Sequence, residues 1–88
     1  MSETRENRLK RMKMRSMRRG IKEMDIILSR YADTHLAGMN DAQLDLYDQM
    51  LNENDQDLYQ WVSRQAEPPA YLSALVGDIA DHIHGQNS

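Results

Sequence analysis

The sequence predicts an all-α fold, a small single domain with five helical segments. Three observations carry that reading. Apolar residues recur three and four positions apart in segment after segment. No stretch alternates apolar and polar over a β-branched run, and Phe is absent altogether. Gly20, Gly38, the acidic stretch 52–57 and Pro68-Pro69 punctuate the chain where helices are expected to stop and start.

The first helix is expected over about 4–19. Leu9, Met12, Met14 and Met17 spread over a wide arc of it, and Arg8, Arg11, Arg15 and Arg18 form a cationic stripe. Methionine in such a face suits an adaptable contact. The second helix, about 21–36, has the clearest amphipathic pattern, with Met24, Ile27, Leu28, Tyr31 and His35 on one side. His35 reads as a hydrogen-bonded residue at the core edge rather than a ligand. A third helix begins at Asn40, with Gln43 completing a capping box and Met39 and Leu44 forming a hydrophobic staple. Its buried face is expected to be Leu44, Tyr47, Met50 and Leu51.

A short fourth helix, about 56–65, would plug the core with Leu58, Trp61 and Val62, Trp61 being substantially buried. Its acidic entry does not read as a calcium loop, because no register puts Gly at the sixth position together with Glu at the twelfth. Asp55 there reads as a helix cap. Pro68-Pro69 ends that helix, and a last one, about 70–83, carries the stripe Leu72, Leu75, Val76, Ile79 and Ile83. His82 and His84 are two apart, point to different sides and make a poor metal pair. Order is expected over about 4–84, with the tail 85–88 disordered.

At 88 residues and with no Cys, the domain has neither disulfides nor thiolate metal sites, so packing must stabilise it. No apolar run is long enough to span a membrane, and nothing apolar follows the basic N-terminus as in a signal peptide. The expected location is the bacterial cytoplasm or the equivalent mitochondrial matrix. The net charge of −3 hides an asymmetry: residues 1–22 hold nine Lys/Arg against two Glu, and residues 23–88 hold two Arg against twelve Asp/Glu. Such an arm suits nucleic acid, anionic lipid or an acidic protein surface, or attraction between the two halves of one fold. The arm lacks interleaved aromatics, which speaks against nucleic acid. No phosphate loop, Cys nucleophile, nucleophile elbow or His-Glu metal helix is present, so a binding or assembly module is expected rather than an independent enzyme.

The most telling segment is Arg18-Arg19-Gly20-Ile21-Lys22-Glu23-Met24-Asp25. As punctuation, the arginines close a helix, Gly20 takes a left-handed stop, and Glu23 reaches back to a free backbone N–H. As a site, it is a rigid corner offering one Arg, one Gly and one carboxylate to a partner, and the two readings are compatible. Glu23 and Asp25 lie about 200° apart around a helix, which rules out a catalytic acid/base pair.

The pattern Arg19-Gly20-x-x-Glu23-x-Asp25 after a basic helix, with Asp57-Leu58-Tyr59-Gln60-Trp61-Val62 following an acidic turn, resembles the FAD assembly (flavinylation) factors of succinate dehydrogenase, the SdhE-type family. The likeness extends over about residues 8–83. It departs from the family at Gln56, where Pro often stands, a difference at the start of the fourth helix. The resemblance implies a compact five-helix bundle that acts as a chaperone for the flavoprotein subunit of succinate dehydrogenase or of fumarate reductase. It further implies that FAD becomes bonded to a client histidine while this chain binds no cofactor stably. Carried over by residue, Gly20 and Glu23 would touch the client, Arg19 and Asp25 would support or extend the contact, and Ile21 and Met24 would flank it. Arg8, Arg11, Arg15 and Arg18 would form a supporting basic face that speeds encounter. The expected state is a monomer without nucleic acid or membrane insertion. Two other classes remain open: a nucleic-acid-binding or antitoxin-like regulator, and an adaptor on anionic lipid.

Overall fold

Helical periodicity and capping chemistry produce the expected architecture. The computed structural model describes residues 3–17 and 19–85. Five α-helices are present: α1 (Arg5–Ser16), α2 (Lys22–His35), α3 (Asp41–Met50), α4 (Asp55–Val62) and α5 (Ser73–Gly85). Short 3-10 turns at Leu36–Gly38 and Ala70–Leu72 precede α3 and α5, and no strand occurs among the described residues. Gly85 closes α5; the rest of the expected loose tail lies outside the described residues.

The helix starts follow side-chain chemistry. Asn40 Oδ1 accepts from Gln43 N at 2.8 Å while Gln43 Oε1 accepts from Asn40 N at 2.9 Å, the expected capping box. Thr4 caps α1, and Asn54 caps α4 by accepting from Gln56 N. The cap of α4 is therefore Asn54, not Asp55, whose carboxylate is occupied elsewhere. Helix α1 ends three residues earlier than expected. Met17 is already extended, and Ser16 turns its hydroxyl inward. Ser16 Oγ donates to the Met12 carbonyl at 2.8 Å and shares a 2.7 Å bond with Tyr47 Oη. The serine has one proton, so the tyrosine is the donor in the second bond.

Helix α2 is the central element, packing against α1, α4 and α5. It contributes Met24, Leu28, Tyr31 and Ala32 to the core, which α3 completes with Leu44, Tyr47, Met50 and Leu51. From α5 and its entry come Leu72, Leu75, Val76 and Ile79, and from α4 Leu58 and Val62. Trp61 corrects the expectation: it is only partly buried against this core. The fully buried aromatics are Tyr31 and Tyr47 instead, their rings stacked with centroids 6.0 Å apart. Of the apolar residues of α1, Met12 is buried and Leu9 partly so, while Met14 and, just beyond the helix, Met17 face solvent. Burial pushes the Tyr47 hydroxyl up to about 12, so it stays neutral.

Helix α1 lies against α2, with Met12 in the core and Leu9 packed on it, and a row of charged bonds ties it to α3. Arg8 pairs with Asp45, Arg11 with Asp48, and Arg15 with both Asp48 and Asn52. The constant offset of 37 residues in the Arg8–Asp45, Arg11–Asp48 and Arg15–Asn52 pairs shows that α1 and α3 run in the same direction. Arg11 grips both oxygens of Asp48, at 3.1 and 3.0 Å, and Arg15 adds a bond at 2.8 Å. Those bonds hold the Asp48 carboxyl below the usual carboxylate range.

Two stability predictions follow from this packing. Leu58→Ala, at a fully buried site, is expected to cost about 2–5 kcal/mol, and Trp61→Ala markedly less. Urea melts of the two variants compare them directly, and an equal or larger loss for Trp61 would contradict the packing. Because Asp48 titrates lower in the folded than in the unfolded chain, its contribution is complete at neutral pH. It is lost as pH falls below the unfolded value of about 4. Asp48→Asn should lower the neutral-pH melting temperature and flatten its decline in acid, measured by circular dichroism.

Candidate functional site

The connection between α1 and α2 is fixed from inside. Arg19 Nε donates to Asp55 Oδ1 at 2.7 Å, and Nη2 approaches the same oxygen at 2.6 Å. The other oxygen of Asp55 accepts from Gly20 N at 2.5 Å. Arg19 also donates to the carbonyls of Arg15, Leu51 and Glu53. Its guanidinium thus joins the end of α1, the α3–α4 turn and the first residue of α4. Both side chains of the pair are nearly enclosed, with exposures of 12% and 13%. Asp55 also sits where the N-terminal end of a helix favours a negative charge.

The motif residues divide between inside and outside. Gly20 and Glu23 are exposed, and Ile21 and Asp25 are half-buried. Met24 is wholly buried in the core, which corrects its expected place at the rim of a contact surface. Ser29 Oγ donates to Asp25 Oδ1 at 3.3 Å. Glu23 makes no hydrogen bond or ion pair among the described residues. It does not cap α2 either: the cap position is Ile21, with no side-chain bond. Ile26, one turn along from Glu23, is 45% exposed, so an apolar side chain adjoins the carboxylate. Arg18 lies outside the described residues.

Gly20 is not in a left-handed conformation, so it is not the helix stop that the punctuation reading expected. A Cβ placed there would meet Asp55 Oδ2 at 3.4 Å, an ordinary contact. The fold therefore tolerates a small side chain at this position. What a bare glycine adds is close access to the backbone at an exposed corner.

The described arginines of the basic stripe, Arg8, Arg11 and Arg15, are spent within the fold. Arg8, Arg11 and Arg15 face the aspartates of α3, Lys13 approaches Asp33 at 3.7 Å, and Lys10 approaches Glu6 at 3.5 Å. Of the meanings open to a basic arm, attraction between the two halves of one fold is the one the geometry displays. The feature that suggested nucleic acid or lipid is thereby accounted for. Among the described residues no group of His and carboxylates is arranged to hold a metal, and no helix is long and apolar enough to cross a membrane.

Comparison with known proteins agrees with the motif. Residues 10–83 match the family described as flavinator of succinate dehydrogenase. This chain belongs to that family. Similar relatives include the mitochondrial succinate dehydrogenase assembly factor 2 of Meyerozyma guilliermondii, 48% identical over 70% of this chain and 46% of the relative. The protein of the same name from Aspergillus terreus is 48% identical over 64% of this chain and 19% of the relative. That from Aspergillus flavus is 46% identical over 67% of this chain and 20% of the relative. The chain thus spans less than half the length of these relatives.

Arg19 and Gly20 make separable predictions. Arg19→Ala would leave Asp55 enclosed without its cation and is expected to cost about 3 kcal/mol. Gly20→Ala should change stability by less than about 1 kcal/mol, because no strained φ is involved. Thermal melts of both variants test the division, and a large loss for Gly20→Ala would restore a conformational role for the glycine.

Proposed function

We propose that this chain is an accessory factor that binds the flavoprotein subunit of succinate dehydrogenase and promotes covalent attachment of FAD to it. The corner at Gly20 and Glu23 is the contact. One observation carries this reading: Glu23 is exposed and bonds to none of the described residues, one turn from a bare glycine, on a turn that the Arg19–Asp55 pair fastens. A free carboxylate on a fixed support is suited to a donor on another protein, since little conformational entropy remains to be lost on binding.

In this reading the flavin joins a histidine of the client through its 8α-methyl carbon, and the reacting groups are the client's own. The factor contributes geometry. Holding client domains so that the histidine meets the flavin can remove several kcal/mol from a barrier without any catalytic side chain on the factor. Gly20 would admit the client backbone, Glu23 would accept its hydrogen bond, and the apolar surface of Ile26 would extend the contact. Arg19 would act indirectly, by fixing the turn. The bacterial cytoplasm or the mitochondrial matrix is the compartment in which this client is assembled.

Gly20→Arg and Glu23→Ala are expected to abolish covalent flavin in the client while leaving helicity and melting temperature nearly unchanged. Flavin fluorescence of the client in a denaturing gel gives the readout, with melts run in parallel. Folded variants that still support full flavinylation would sink the proposed contact.

A further inference from the structure

The outer side of α2 carries three residues that the fold does not use. Lys22, Ile26 and Arg30 follow one another at steps of four, and all three are exposed. Each such step turns a helix by about 40°, so the three form one slanting ridge about 12 Å long. Glu23 lies on the same exposed arc, about 60° around the helix from Ile26. The ridge therefore starts at the corner and runs away from it along α2.

Stability explains none of the three. Lys22 is the first residue of α2, at the end of the helix dipole where a positive charge is unfavourable. Ile26 is 45% exposed, and an open helix surface favours straight-chain side chains over a β-branched one. Arg30 is one of two cations in residues 23–88 and pairs with none of the twelve carboxylates there. Neither Lys22 nor Arg30 makes an ion pair or a side-chain hydrogen bond among the described residues. Every other described Lys or Arg meets a carboxylate of its own chain.

Two unspent cations with an apolar side chain between them fit a protein surface that presents two carboxylates around an apolar spot. A phosphate surface fits less well, because Glu23 and Asp33 share the exposed arc and would repel it. A second copy of the chain fits worst. A two-fold contact on Ile26 sets Lys22 against Arg30 if the helices are antiparallel, and each cation against its own copy if they are parallel.

We propose that the ridge Lys22–Ile26–Arg30 is a second contact for the client, docking on an acidic part of the flavoprotein subunit. Ile26 packs on an apolar spot there, and Lys22 and Arg30 donate to carboxylates on either side of it. The inference rests on the reading of that subunit as the client. Because the chain has a net charge of −3, these two cations decide which of its faces an acidic partner meets.

The test is surface plasmon resonance of the full chain on the flavoprotein subunit of succinate dehydrogenase lacking covalent flavin. Lys22→Glu combined with Arg30→Glu is expected to raise Kd roughly tenfold or more at low salt, chiefly by slowing association. The effect should shrink as salt rises. Ile26→Gln should raise Kd roughly tenfold by speeding dissociation. A control of equal net charge, Lys10→Glu combined with Arg64→Glu, should change Kd by less than about threefold. All five substituted side chains are exposed, so every variant should melt close to the parent chain. Glu23→Ala, measured alongside, separates this inference from the reading of the corner. Binding weakened by Glu23→Ala but not by the ridge variants overturns the ridge and keeps the corner. Binding weakened by the ridge variants alone supports the ridge and removes the corner. No binding of the parent chain removes both. An equal effect of the control pair, or a dimer of the parent chain that Ile26→Gln dissociates, would also overturn the proposal.

Discussion

The bond between Arg19 and Asp55 is the constraint on which the candidate site depends. Without it Gly20 and Ile21 would have few reasons to hold one path. With it, a single guanidinium closes on the α4 carboxylate and three backbone carbonyls, and the next amide binds the same carboxylate. Carbonyls at the end of a helix need partners, and Arg19 supplies them for Arg15 and Leu51. One side chain thus completes two helix ends and fixes the approach to α2. The corner is rigid because its fastening is internal and nearly enclosed, not because its exposed residues are themselves well bound.

The same logic extends along α1. That helix anchors in the core through Met12 and, partly, Leu9, which leaves its register against α3 to other contacts. Arginines at positions 8, 11 and 15 match acceptors at 45, 48 and 52 at one constant offset. Two helices running in the same direction gain nothing from their dipoles, so this row of charge-assisted bonds sets their register. Exposed pairs of this kind are individually weak. Their weight comes from repetition, and from Arg11 and Arg15 sharing Asp48. The opposite charge of the two halves is therefore chiefly a folding device.

How much of this was legible in the sequence depends on the type of interaction. The capping box at Asn40 and the stripes of α2, α3 and α5 are local patterns of short period, and they appear where periodicity places them. Long-range polar pairing is not local. Asp55 and Asn54 are both good cap residues, and only the position of Arg19, 36 residues away, decides which of them caps. Trp61 shares the helical spacing of Leu58 and Val62, yet the deep space is taken by Tyr31 and Tyr47. Met24 carried two readings, and its place on the apolar stripe of α2 with Leu28 and Tyr31 outweighs its nearness to Glu23 in sequence. A signal for the α1–α3 row did exist, since both stripes repeat with spacings of three and four. Read separately, each looks like a solvated face; their match emerges only when one is laid against the other.

The motif Arg-Gly-x-x-Glu-x-Asp therefore joins two kinds of requirement in one short segment. Arg19 is needed by the fold, and its partners lie inside the molecule. Glu23 meets no need of the fold: it neither caps α2 nor pairs with a neighbour among the described residues. Gly20 stands between them, joined to the inner network through its amide and bare on its outer side. Backbone strain does not account for the glycine, because its φ is not positive and a Cβ would find room. Asp25, held by Ser29, keeps the first turn of α2 acidic, where the helix dipole favours it. A segment whose first residue is satisfied internally, and whose exposed carboxylate is not, has the form expected when a fold presents a contact to something outside itself.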